Sequence, residues 1–165
     1  MVDPPRISVL FVCLGNICRS PLAEGVMLHH LSVAGIDGSV RVDSAGTGAW
    51  HAGESPDPRA CAVAEMNGVT LNGRARRVVP EDFQKFDYVL AMDSANLHDL
   101  EHLQASSGGD AHVALFRTYD PLGEGDSDIP DPYYGGSSGF DRVYEMVDRT
   151  CRELVEHLSA ELSEG

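Results

Sequence analysis

Basic residues are scarce in this sequence: 12 Lys and Arg stand against 26 Asp and Glu, a formal net charge of −14. Such a chain has no broad cationic field with which to hold a nucleic acid or an anionic membrane, and neither is expected as a partner. An anion can still be bound, but only in a local cavity built from backbone N–H groups and one or two arginines. Cysteine is sparse as well. Cys13, Cys18, Cys61 and Cys151 are too few for the disulfide framework of a secreted chain this long, so reduced thiols and a cytoplasmic location are expected. No apolar run is long enough to span a membrane; the first, Ile7 to Leu14, contains a serine and stops at Gly15. Met1 to Arg6 holds two prolines and no signal-peptide pattern, and residues 1–5 are expected to be disordered. Repeats and low-complexity tracts are missing too. What remains is 165 residues with 42% hydrophobic content, enough for one core and one domain.

Strand and helix patterns alternate along the chain. Arg6 to Val12 reads as a buried strand, and a helix opens at Ser20-Pro21, a capping serine before a proline suited to the first turn, with Gly35 as its stop. Further strands are expected at Val40 to Ser44, Asp87 to Met92 and His112 to Phe116. Helices are expected at Pro58 to Met66, with Ala62, Val63 and Met66 as its apolar members, at Pro80 to Phe86, and at Ser94 to Gln104. Phe140, Val143, Val147, Cys151, Leu154, Leu158 and Leu162 recur every three or four residues and mark a long final helix. The alternation predicts an α/β fold, a parallel sheet with helices on both faces and ligands bound beyond the carboxyl ends of the strands. Arg117 to Ser137 is left as a long irregular stretch, of a length usual for functional loops.

One such strand end carries Cys13-Leu14-Gly15-Asn16-Ile17-Cys18-Arg19-Ser20. A tight loop between a strand and a helix can turn successive backbone N–H groups inward, and the helix N-terminus behind it adds partial positive charge. A phosphate dianion fits such a cradle. The same field favours the thiolate, the nucleophilic form of cysteine, and Ser20 is placed to donate a hydrogen bond to it. Arg19 offers a planar fork matched to two phosphoryl oxygens, a geometry that lysine cannot copy. Spacing alone is a weak signal, and the agreeing strand, turn and helix start strengthen it.

A thiolate attacking a phosphate ester needs a proton donor for the departing oxygen. Four Asp-Pro pairs occur, at Asp3, Asp57, Asp120 and Asp131, and only Asp131 is followed by aromatics, Tyr133 and Tyr134. These rings suit the walls of a pocket for a substrate ring. The competing reading of Asp131 is a solvated turn, which is also the reading taken for Asp120, Glu124, Asp126 and Asp128.

Val-Cys-Leu-Gly-Asn-Ile-Cys-Arg-Ser-Pro from Val12, Ser-Ala-Gly-Thr from Ser44 and Asp131-Pro-Tyr-Tyr resemble the low-molecular-weight protein tyrosine phosphatases. Ala75-Arg76, Glu81-Asp82-Phe83, Asp87-Tyr88 and Met92-Asp93 extend the resemblance over nearly the whole chain. It implies a flavodoxin-like α/β fold with four parallel strands, a cysteinyl-phosphate intermediate, no cofactor and no metal. It assigns Cys13 as nucleophile, Arg19 as the phosphate-binding group, and Asp131 as the acid that protonates the leaving phenolate and later activates water. Asn16, Ser20 and Ser44 match polar residues that support the loop, and Leu14, Gly15, Ile17 and Cys18 complete the substrate-binding loop. Trp50, among Gly46, Gly48 and Gly53, falls in a segment that borders the pocket in this family and is expected as an aromatic wall; His51 is a rim residue. The implied partners are phosphotyrosine-containing proteins, with inorganic phosphate as product, and a monomer is expected. One departure stands out: many relatives carry a histidine where this chain has Gly73, so the support network behind the loop is expected to be thinner.

Two rivals share the fold. Arsenate reduction needs further thiols in the segment that here spans Pro80 to Met92, which has none; Cys61 and Cys151 fall on apolar helical stripes and read as core. Phosphoarginine phosphatases tend to have a small polar residue where Ile17 stands, and Ile17 with the tyrosine pair favours an aryl ester. A role of a different class is a redox module in which Cys18 forms a transient disulfide with Cys13.

Overall fold

Β-branched and large apolar residues dominate Ile7–Cys13, which forms the first strand, β1, of a computed structural model that describes residues 4–123, 128–133 and 137–164. Alternate side chains leave a strand on opposite faces, and here they separate two apolar layers. Val9, Phe11 and Cys13 enter one cluster, Leu10 and Val12 the other, and all five are buried. β1 pairs in parallel with β2 (Val40–Gly46) on one side and with β3 (Tyr88–Ala91) on the other, and β4 (His112–Leu115) completes the order β2-β1-β3-β4.

The Phe11 face is covered by α1 (Arg19–Ala34), α2 (Pro58–Met66) and α5 (Ser137–Glu164), and the Leu10 face by α3 (Asp82–Lys85) and α4 (Ser94–Ser107). This is the four-stranded parallel sheet with helices on both faces that the alternation predicts. Because the chain passes from β1 to β2 on one side and then crosses from β2 to β3 on the other side of β1, a crevice opens beyond the carboxyl end of β1, where such sheets bind ligands. Cys13 ends that strand.

The helix termini follow from local chemistry. Gly35 adopts a left-handed φ of 76° and its N–H reaches Ser32 O, closing α1. Asp57 caps α2 by accepting from Arg59 N at 2.8 Å, with Pro58 at the first helical position, and Asp93 caps α4 by accepting from Asn96 N at 2.8 Å. In α5 the stripe from Phe140 to Leu158 is buried as predicted, and Leu162 is partly buried.

Four local expectations change. α1 begins at Arg19 without a side-chain cap, because the Ser20 hydroxyl is spent elsewhere. On α2 the cap and Pro58 set the phase so that Ala60, Val63 and Ala64 are buried, while Ala62 faces out and Met66 is 81% exposed. Phe116 leaves β4 to open a 3-10 turn, Phe116–Tyr119, its ring edge-on to Phe11 with centroids 5.1 Å apart. Cys151 is fully buried as expected of a core residue, whereas Cys61 is only half-buried.

Candidate active site

The turn from β1 into α1 is held from below and from both sides. Thr47 N donates to Cys13 O and Gly48 N to Leu14 O, each at 2.9 Å, so the end of β2 tethers the loop. Asp57 N, at the head of α2, donates to Ile17 O at 2.8 Å. Asn16 adopts a φ of 57°, a left-handed conformation that asparagine tolerates, and its N–H lies 3.3 Å from Cys13 Sγ. The amino end of α1 stands directly behind, so its partial positive charge faces the sulfur and whatever anion approaches it.

The asparagine amide organises the sulfur's second contact. Asn16 Oδ1 accepts from Arg76 N at 3.0 Å, which fixes the amide's orientation, and Nδ2 then donates to Ser20 Oγ at 2.8 Å and to Ser44 Oγ at 3.0 Å. With a lone pair so occupied, Ser20 Oγ has one proton to give, to Ala45 O at 3.3 Å or to Cys13 Sγ at 3.0 Å, and toward a thiolate, which can only accept, it is the donor. Ser44 Oγ donates onward to Glu24 Oε1. Burial pushes the Glu24 carboxyl up, partly opposed by that hydrogen bond. A cavity of about 50 Å³ lies beside this network, lined among others by Glu24, Ser44 and Gly73. Gly73 has a φ of 93° and nothing within 4 Å of the position of a β-carbon, and Glu24 terminates the chain of hydrogen bonds there.

Arg19 is 2% exposed, and its direction is set by two groups that sequence reasoning did not single out. Nη1 donates to Asp93 Oδ2 at 2.7 Å and to Ile129 O at 2.9 Å. Asp93 thereby serves twice, capping α4 with one oxygen and anchoring the arginine with the other. Its place just beyond β3, in the Met92-Asp93 pair, was the available signal. Nη2 lies 3.6 Å from Asp131 Oδ2, and Asp131 Oδ1 accepts from Tyr133 N at 3.0 Å.

These groups share one pocket of about 280 Å³, with Cys13 and Arg19 among its lining residues and Ile17, Trp50, His51, Asp131 and Tyr133 around them. Leu14, Gly15 and Cys18 also line it, whereas Asn16, Ser20 and Ser44 act from behind the sulfur. Trp50 is 72% exposed, lying against Gly48, where a β-carbon would come within 1.8 Å of the ring; it is no core tryptophan. Tyr134 lies outside the described residues. Cys18 is a free thiol like the other three cysteines; burial, and then the Asp57 carboxylate, push it well up, so it stays protonated beside Cys13.

The acidic loop departs from expectation at two residues. Asp120, read as a solvated turn, is buried and accepts from Arg117, Arg149 and Leu122 N. Asp128 accepts from the N–H and hydroxyl of Ser94 at 2.9 and 2.8 Å, tying the loop to α4. Glu124 and Asp126 lie outside the described residues.

Residues 8–164 match the family model described as low molecular weight phosphotyrosine protein phosphatase. The chain belongs to that family. A low molecular weight protein-tyrosine-phosphatase of Streptomyces coelicolor is 47% identical over 148 residues, 89% of this chain and 90% of that one. Among solved structures, a protein tyrosine phosphatase of Entamoeba histolytica superposes with a TM-score of 0.85 at 34% identity, covering 94% of this chain and 98% of that chain. A Drosophila arginine phosphatase superposes with a TM-score of 0.86 at 35% identity, covering 91% and 96%. This low molecular weight phosphatase is therefore an enzyme with the family's cysteine-based phosphotyrosine chemistry.

Proposed function

We propose that Cys13, Arg19 and Asp131 are the three reacting groups, and that the substrate is an aryl phosphate presented as phosphotyrosine on a protein. The observation that carries this reading is their convergence on one pocket, with Ser20 Oγ 3.0 Å from Cys13 Sγ and Arg19 Nη2 3.6 Å from Asp131. Arg19 Nη1 is committed to Asp93 and Ile129, so the fork meets the phosphoryl group with its remaining donors, Nε and Nη2.

In the first step Cys13 Sγ, as thiolate, attacks phosphorus. The S–P bond forms as the P–O bond to the aryl group breaks, and Asp131 gives its proton to the departing phenolate oxygen. In the second step the Asp131 carboxylate takes a proton from water, the water oxygen attacks phosphorus, and the S–P bond breaks to return the thiolate and inorganic phosphate. Charge spreads over the non-bridging oxygens in both transition states, where Arg19 and the positive end of α1 stabilise it. Ser20 stabilises the sulfur each time it carries charge.

Ile17, Trp50 and Tyr133 support the aryl reading, since they give the pocket apolar and aromatic walls. The similarity to an arginine phosphatase makes phosphoarginine the competitor to test. With purified enzyme, kcat/KM for phosphotyrosine is expected to exceed that for phosphoarginine, and Asp131→Asn to slow phenyl phosphate far more than p-nitrophenyl phosphate. The opposite preference, or equal slowing of both esters, would overturn the assignment. Among the described residues no helix is long and apolar enough to cross a membrane. We place the enzyme, its four thiols unpaired, in a reducing compartment such as the cytoplasm, acting as a monomer on phosphotyrosine-bearing proteins.

A further inference from the structure

The side chain of Asp131 is 40% exposed and lies outside helix and strand, yet the assigned proton transfer requires its carboxyl at a fixed place over the phosphate loop. Something must hold the loop, and the 3.6 Å approach to Arg19 Nη2 is not a tight hydrogen bond. The firmer attachment is Tyr133, whose N–H donates to Asp131 Oδ1 at 3.0 Å, so the position of the tyrosine sets that of the carboxyl.

Beside that tyrosine lies a cation from another element. The Arg59 guanidinium carbon is 5.3 Å from the centroid of the Tyr133 ring and 4.8 Å from that of Phe140, in the first turns of α5. Its plane is pinned by two hydrogen bonds to Asp57, from Nε at 3.1 Å and from Nη2 at 3.0 Å, and hydrogen bonding from Arg59 holds the Asp57 carboxyl below its usual range. Asp57 in turn is fixed twice. It caps α2, and its N–H donates to Ile17 O of the phosphate loop at 2.8 Å.

We propose that Arg59 is a positioning residue for the general acid: anchored through Asp57 to the phosphate loop and laid against Tyr133 and Phe140, it registers the Asp131 carboxyl over the Cys13 loop. The role rests on the assignment of Asp131 as the acid. A planar, delocalised cation is required, because it must take a bidentate carboxylate in its plane while its faces meet rings. Phe140 is 2% exposed and anchors the clamp to α5, so Tyr133 is the part that shifts when the cation is lost. Arg59 touches neither substrate nor reacting atoms in this scheme; it acts through Tyr133 and Asp131.

The test measures kcat/KM for phenyl phosphate, a poor leaving group that needs the proton, and for p-nitrophenyl phosphate, which needs it less. Arg59→Met is expected to lower the first by about tenfold and the second by roughly twofold or less. Arg59→Lys, which keeps the charge and safeguards the fold but loses the plane, is expected to show the same bias at smaller size. In an Asp131→Asn background Arg59→Met is expected to add almost nothing, since the group it positions is gone. Equal slowing of both esters, or full multiplication of the two effects in the double variant, would overturn the positioning role. Should Asp131→Asn itself leave phenyl phosphate turnover unchanged, the acid assignment fails and takes this role with it. If Asp131→Asn is slow and neither Arg59 variant is, the positioning role alone fails.

Discussion

Adding a single methyl group at Gly46 should disable the site without touching a reacting residue. Gly46 closes β2 against the phosphate loop, and a β-carbon there would stand 2.7 Å from Leu14 O and 3.2 Å from Asn16 N and Gly15 C. Carbon and carbonyl oxygen in close contact settle at about 3.3 Å, so the loop must retreat by roughly 0.6 Å. The obstructing atoms are backbone and already engaged: Leu14 O accepts from Gly48 N at 2.9 Å, and Asn16 N lies 3.3 Å from Cys13 Sγ. Retreat therefore breaks the tether or moves the sulfur. Overpacking of this kind costs about 1–3 kcal/mol, and a displacement approaching 1 Å at a reacting centre costs up to about 100-fold in rate. For Gly46→Ala the expected result is a fall of at least about tenfold in kcat/KM for p-nitrophenyl phosphate together with a lower unfolding midpoint in urea. Gly35→Ala is the control, at a φ of 76° with nothing within 4 Å, and is expected to lose about 1–2 kcal/mol of stability and no activity. Unchanged kcat/KM in Gly46→Ala, or an equal loss in Gly35→Ala, would refute the reasoning.

Other perturbations separate the anchors from the walls. Asp93→Asn keeps a cap for α4 but removes the charge facing Arg19, whose side chain is 3% exposed; the expected cost is on the order of 3 kcal/mol in urea unfolding, with kcat/KM reduced alongside. Trp50→Ala, removing a ring that is 72% exposed, is expected to raise KM for aryl phosphates roughly 2- to 10-fold while the melting temperature stays the same. Asp120 predicts the acid limb of stability. Burial pushes its carboxyl up, but hydrogen bonds from Arg149, Leu122 N–H and Arg117 outweigh that and hold it at about 2. A folded value below the unfolded one gives stabilisation that is complete above about pH 4 and is lost as pH falls toward 2, an effect of about 2 kcal/mol. Urea unfolding between those pH values should show this slope in the native chain and a flatter one in Asp120→Asn.

The parts of the fold legible in the sequence are those set by short-range pattern. The first strand, expected at Arg6 to Val12 and found one residue on at Ile7–Cys13, the glycine stop at Gly35 and the stripe of α5 each depend on a few neighbouring residues, and the stop and the stripe are found where they were expected. The cysteine loop was legible for the same reason, since nucleophile, turn and helix start lie within eight residues. What was missed depends on partners far along the chain. Nothing local separates Asp120, which meets Arg149 29 residues away, from a solvated turn acid, and the place of Asp93 just beyond β3 does not by itself name its partner, an arginine 74 residues earlier. Ser20 misled for a related reason: a serine before proline at a helix start reads as a cap, but this hydroxyl lies beside a sulfur and an asparagine amide, and both claim it. On α2, Ala62 and Ala64 are alike to a pattern search, and only the phase set by Asp57 and Pro58 decides which is buried.

The claim on which the mechanism depends is that the phosphoryl group is carried on Cys13 Sγ. Rapid mixing of the native enzyme with an aryl phosphate, quenching in acid, and peptide fragmentation by mass spectrometry would locate the trapped group. The expected result is a phosphoryl adduct on Cys13 and none on neighbouring Cys18, with no adduct and no turnover in Cys13→Ser. An adduct on any other residue, or undiminished turnover by Cys13→Ser, would contradict it.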